Sequence, residues 1–201
     1  MKLLLRIAAP ITLALAVGAC SLGSLLGGGG KTPPTLLTLT TEAPPTGDVA
    51  RSASAGEAVT IAIPVIGKEL RTVRVPARVS ATDVQYITNL QWVDTPDRLF
   101  QDLLAETVRR TTGRVVLDPK VTALDPGIIV SGQLHRFGFD AAEQAVIVRF
   151  DGAMATAGGT RVDTRRFEAR VPATGDAASV GPALNQAANQ VALEAASWIG
   201  R

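Results

Sequence analysis

The 201-residue chain contains one cysteine, Cys20, and one histidine, His135. A lone cysteine makes no internal disulfide, so a disulfide-stapled scaffold is excluded. Cysteine–histidine zinc sites need several such ligands at fitting spacings, and the chain does not have them. A catalytic His135 needs an oriented partner and a nucleophile, and no such pattern is legible. Its neighbours Gln133 and Phe137 are expected to share its side of a strand. Aromatic residues make up only 4% against 46% hydrophobic residues, so the core is expected to consist of Val, Ile, Leu and Ala. No apolar run approaches the roughly 20 residues that a membrane-spanning helix needs. Polybasic patches, acidic runs and solenoid repeats are all missing, which points away from nucleic acid and from repeat architectures. Gly27–Gly30 is followed by Lys31-Thr32 but does not follow a predicted strand, as a phosphate-binding loop does, and Gly158-Gly159 reads as a hairpin turn. Arg161, Arg165, Arg166 and Arg170 resemble an anion patch, but they divide between two strand faces and alternate with Asp163 and Glu168, which favours ion pairs. The expectation is a non-enzyme, with no cofactor and no metal.

What is present begins at the N-terminus. Lys2 and Arg6 precede an apolar run from Ile7 to Ala19, and small residues lead up to Cys20. This is the order of a secretory signal peptide over residues 1–19. The stretch Val17-Gly18-Ala19-Cys20 resembles the bacterial lipobox, which implies that Cys20 becomes the first mature residue and carries lipid. Without Lys2 and Arg6 the chain has 18 basic and 18 acidic side chains, so its apparent net charge of +2 belongs to the signal. Residues 20–34 include four consecutive glycines and Pro33-Pro34, a composition suited to a flexible linker rather than a core. Residues 35–201 are then expected to form a single periplasmic domain.

Within that domain, Thr35–Thr40 reads as a short β-like run, and 41–56 as a surface loop. Val59, Ile61 and Ile63 alternate with smaller residues in a strand ended or edged by Pro64. Val73, Val75, Ala77 and Val79 share a face of a second strand, which Pro76 places at a sheet edge or at a bulge. Val84–Trp92 continues as strand, with a turn at Thr88-Asn89. Thr95-Pro96-Asp97 starts a helix over 96–112, whose stripe is Leu99, Phe100, Leu103, Leu104 and Val108, with Gly113 as its stop. A short strand at 115–117 precedes three longer ones at 128–139, 145–156 and 161–171, joined as a meander. A last helix is capped by Asp176 or Ser179, with Pro182 in its first turn and Asn185, Gln186 and Asn189 on its polar side. The expected class is α+β: a mainly antiparallel sheet with two principal helices packed on one face.

The lipobox, Leu36–Leu39, the Val59–Pro64 strand, Arg74–Val79 and Tyr86–Leu104 follow one another in a characteristic order. Gly132–Phe139 and the Ala-rich terminal helix complete it. In that order the chain resembles the ABC-type transport auxiliary lipoproteins, the group that includes the YmbA-like, or Pqi, auxiliary lipoprotein. The resemblance implies a non-catalytic component of an envelope lipid-transport system. Its partners would be an ABC permease and ATPase and a mammalian-cell-entry (MCE) domain protein. Ser21 after Cys20 favours the periplasmic side of the outer membrane. Exposed sheet edges, with the Pro76 strand as the suggested one, would add strands from a partner or from a second copy. The competing reading is an outer-membrane assembly or envelope-structural lipoprotein.

Overall fold

The computed structural model describes residues 35–45, 47, 50–54, 56–118, 127–156 and 159–201. The expected signal segment, Cys20 and the linker through Pro34 lie outside the described residues, as does Gly158. In chain order the elements are β1 (Val59–Ile61), β2 (Val65–Ile66), β3 (Arg74–Arg78), β4 (Val84–Gln91), α1 (Pro96–Thr112), β5 (Val116–Leu117), β6 (Ile128–Asp140), β7 (Ala145–Thr156), β8 (Arg161–Pro172) and α2 (Ala177–Ile199).

The sheet is assembled on β6. One edge of β6 pairs antiparallel with β7, and β7 pairs with β8 in unbroken register from Ala145↔Pro172 to Thr156↔Arg161. The other edge takes three short strands end to end, all parallel. Val59–Ile61 lies beside Ile128–Val130, Val65–Ile66 beside Gln133–Leu134, and Ala77–Arg78 beside Phe139–Asp140. β5 then runs parallel outside β1, and β4 antiparallel outside β3. The class is α+β, as the sequence suggests, but the sheet is mixed. Antiparallel pairing describes the β6–β7–β8 meander and the β3–β4 hairpin, while the second edge of β6 is parallel throughout. The cause is α1, which intervenes between β4 and β5 and returns the chain to the start of β1. Parallel neighbours require a crossover of this kind.

The proline strand is not an edge. β3 lies between β6 and β4, and Pro76 is accommodated by a register shift between Arg74 and Pro76. Across from it, β4 is irregular where the turn was expected, with Asn89 at φ 59°. Val75 and Ala77 are buried, whereas Val73 and Val79 fall outside the strand and are exposed.

Helix α1 matches its sequence bounds, and Gly113 adopts φ 69° as its stop. Thr95 occupies the cap position, but its side chain caps no helix amide. The stripe of Leu99, Phe100, Leu103, Leu104 and Val108 is buried. Helix α2 is capped by Asp176, which accepts from the Ser179 amide at 3.0 Å. Pro182 sits one turn deeper than the first-turn position expected of it. Ala183, Ala187, Ala188, Ala192, Ala195 and Ala196 are all buried, and their small side chains let α2 approach both the sheet and α1 closely.

A one-residue bulge interrupts β6. Leu134 faces Phe150 and Arg136 faces Arg149, so His135 has no counterpart on β7. A bulge reverses the in–out alternation beyond it. The core positions are Ile128, Val130 and Leu134 before His135, and Phe137 and Phe139 after it. The expectation that Gln133 and Phe137 lie on the same side is therefore wrong: Gln133 is exposed and Phe137 is 1% exposed.

Close backbone packing follows the bulge. A Cβ at Gly138 would lie 2.4 Å from the carbonyl oxygen of Pro76. Gly138→Ala is expected to cost about 1–3 kcal/mol, as overpacking does. Thermal denaturation would read this as a fall of about 2–4 °C per kcal/mol in a domain of this size. An unchanged midpoint would mean that β3 and β6 are not so closely apposed.

Candidate functional site

Both α-helices lie on one face of the sheet, and the opposite face carries no α-helix among the described residues. The cross-strand register sets out its side chains in rows. Leu117, Thr60, Ile129, Ala155 and Val162 stand in line across five strands. This row has no charge, and Ile129 and Val162 are exposed. Nearer the bulge, Val65, Gln133, Asp151 and Arg166 form a further row. Arg136, Arg149 and Glu168 line up just past it. The face thus passes from apolar at one end to charged at the other.

The charges neutralise one another. Arg166 donates to both carboxylate oxygens of Asp151, at 2.7 and 2.6 Å. Arg166 holds the Asp151 carboxyl below its usual range; burial opposes the shift and His135 reinforces it. The Nε2 of His135 lies 3.1 Å from the same carboxylate. Burial pushes Glu168 upward, but its contacts with Arg149 and Arg170 outweigh that and leave its pKa lowered. Arg170 also reaches Glu143 at 2.8 Å. Asp140 behaves likewise: burial raises its pKa, and Arg136 with the amides of Glu143 and Ala142 more than reverses the rise.

The four β8 arginines therefore do not form an anion patch. Arg161 pairs with Asp163, Arg166 with Asp151 and Arg170 with Glu143, while Arg165 lies over the Phe167 ring at 5.4 Å. The cavity beside His135 measures about 20 Å³, room for roughly one water and not for a substrate. Among the described residues, no three His, Cys, Asp or Glu side chains gather to hold a metal ion. No described helix is long and apolar enough to cross a membrane. Chemically, the face offers a neutral surface of fixed ion pairs beside a small apolar field.

Sequence reasoning missed one further feature. Residues 37–43 cross the helix layer as a strap, not as the β-like run expected. Leu37 makes a single parallel bridge with Trp92. Past it, the strap backbone is held by Asn185 and Asn189 of α2 and by Arg110 of α1. Asn189, assigned to the polar side of α2, is 1% exposed. A polar residue at a core-compatible helix position was the available signal, but nothing local indicates that its partner lies nearly 150 residues away in sequence.

The model of the ABC-type transport auxiliary lipoprotein component family matches residues 37–196. The chain belongs to this family. The matched span opens at Leu37, so the strap is part of the family's domain and not an appendage. Two solved structures share the fold. Protein XCC0632 from Xanthomonas campestris superposes with a TM-score of 0.63 at 19% identity, covering 82% of this chain and 94% of its own. An uncharacterized protein gives a TM-score of 0.59 at 12% identity, covering 83% of this chain and 98% of its own. No curated protein matches the sequence.

The carboxylates of the helix-free face make stability depend on acid. Their folded pKa values lie below the ordinary 3.8 of Asp and 4.5 of Glu. Their contribution is complete above those ordinary values and disappears as pH falls through the lower folded ones. Urea midpoints should hold steady down to about pH 5 and fall as the pH drops below about 4.5. Asp151→Asn with Glu168→Gln should flatten that fall while lowering stability at neutral pH. Parallel profiles for the variant and the parent would mean that these ion pairs contribute nothing.

Proposed function

We propose that the chain is a lipid-anchored, non-catalytic component of an ABC transport system that moves lipid across a Gram-negative envelope. The observation that carries this reading is the family match over 37–196, preceded in sequence by a lipobox-like stretch ending at Cys20. In this reading residues 1–19 are removed as a signal peptide. Cys20 then carries the acyl chains, residues 20–34 form the tether, and 35–201 form one periplasmic domain. A single acyl chain anchors a protein only marginally, whereas two or more hold it stably. A fully acylated Cys20 therefore keeps the domain at one membrane, and Ser21 directs it to the periplasmic side of the outer membrane.

The chemistry supplied is positional. The ATPase and permease spend energy at the inner membrane, and an MCE-domain protein spans the periplasm between the two membranes. The domain would dock the distal end of that conduit or align with it. The helix-free face is the surface offered for docking, because it is broad, rigid and neutral, with an uncharged field at one end. The Pro76 strand is withdrawn as a docking edge, since β4 and β6 occupy both its sides.

Two measurements test the reading. Cys20→Ser should abolish the lipid mass and release the domain into the soluble periplasm; unchanged membrane fractionation would mean that something other than Cys20 anchors it. Crosslinking in cells followed by purification should recover an MCE protein with the permease and ATPase. Recovery of outer-membrane assembly factors instead would overturn the transport assignment.

A further inference from the structure

The strap is held by an uncommon device. Its first contact is ordinary: the Leu37 amide donates to the Gln91 carbonyl at 2.7 Å, and the Leu37 carbonyl accepts from Val93 at 2.9 Å. Next, its backbone partners become side-chain amides. The Thr40 amide donates to Asn185 Oδ1 at 2.9 Å. Asn189 Nδ2 donates to the Thr40 carbonyl at 2.8 Å, and Asn189 Oδ1 accepts from the Glu42 amide at 2.8 Å. One side-chain amide thus satisfies a backbone C=O and an N–H two residues apart, as a neighbouring strand would. Arg110 closes the far end on the Ala43 carbonyl at 2.9 Å. Below the strap, the Leu37 side chain lies over Gly181, where a Cβ would come within 3.2 Å of it.

Asn189 is almost fully buried, and a buried amide without partners is costly. Strap and helix layer therefore need one another: without the strap, Asn189 loses two of its hydrogen bonds. Yet among the described residues only one backbone bridge ties the strap to the sheet, so it can part from the helices while β6–β8 stay paired.

We propose that the α1–α2 surface is a clamp that fixes where the tether leaves the domain, and so sets how far the domain reaches from its membrane. This rests on the proposed anchoring at Cys20 and the linker reading of residues 20–34. With the strap seated, about 16 residues separate Cys20 from Leu37, and a linker of that length would span roughly 20 Å root-mean-square as a random coil. With the strap released, the next contact among the described residues is Arg51, which donates to the Arg109 carbonyl of α1, so the free chain is about 30 residues, or roughly 30 Å. A pull along the tether meets Leu37, Asn185 and Asn189 first, not the sheet.

Hydrogen–deuterium exchange on the full-length lipoprotein in phospholipid vesicles tests the clamp. In the parent protein the Thr40 and Glu42 amides should be protected. Asn189→Ala should speed their exchange by tenfold or more, with β7 and β8 unchanged. Asn185→Ala, at a half-buried position, is the variant that keeps the test sound if Asn189→Ala misfolds; it should speed Thr40 alone. Neutron reflectometry on the same proteins should show the domain's distance distribution shift outward by about 10 Å in Asn189→Ala. Unchanged strap amides, or β7 and β8 accelerating in step with the strap in Asn185→Ala, would overturn the clamp. Parent protein that fails to bind vesicles would overturn the anchoring and with it the control of reach, while the exchange data would still decide whether the strap is clamped.

Discussion

Most of the fold depends on β6 being paired along both edges while carrying one unmatched residue. His135 is that residue, and its insertion turns Phe137 and Phe139 into the core in place of the positions that strict alternation would choose. The rings then connect the layers. Phe137 meets Trp92 at 5.5 Å, tying β6 to the end of β4. Phe100 of α1 meets Phe150 of β7 at 5.2 Å, Phe150 stacks toward Phe167 of β8, and Phe167 meets Trp198 of α2 at 5.6 Å. The chain has few aromatics, and all five phenylalanines and both tryptophans are buried where elements from distant parts of the sequence converge. Such ring pairs contribute beyond their buried area because they favour particular geometries.

Local patterns were legible where their cause is local. The Thr95-Pro96-Asp97 start, the leucine stripe and Gly113 mark α1 because propensity, periodicity and the stop all lie within its own residues. The β6–β7–β8 meander was readable for the same reason, since short connections leave antiparallel neighbours as the available arrangement. Parallel pairing of β1, β2 and β3 was not readable, because it depends on where α1 carries the chain and not on the strands themselves. The bulge at His135 lay between these cases. Leu134 and Phe137 are three apart, a spacing that breaks period two and marks an extra residue, but it is visible only when both are assigned to the core. Asn189 was hidden for a different reason: its burial is explained by a strap contributed from the opposite end of the domain.

The candidate surface obeys the same division. The interleaving of Arg161, Asp163, Arg165, Arg166, Glu168 and Arg170 was enough to argue for ion pairs over an anion site, and the register shows the partners. Asp151 and Glu143 come from β7 and from the β6–β7 turn, positions that a reading of β8 alone does not contain. With these charges closed on one another, the face has little long-range field to attract a charged ligand. Recognition there would have to come from shape and from the uncharged rows beside the ion pairs.

For a protein whose proposed task is to hold a domain at a fixed place, the attachment of tether to fold matters as much as the anchor. In the proposed reading, a lipid on Cys20 would hold the domain at a membrane, Ser21 would select which one, and the strap contacts would set the distance. Among the described residues, the strap contacts begin at Leu37 and continue to Asn189, on the helix side, and leave the opposite face of the sheet clear. The proposed tether attachment and docking surface would therefore use different faces of the same sheet, so that a partner could occupy one without displacing the other. The alanines of α2 make this arrangement available. By packing closely against the sheet and α1 they leave room in one thin layer for the strap to cross, and they let a buried asparagine rather than a strand receive it.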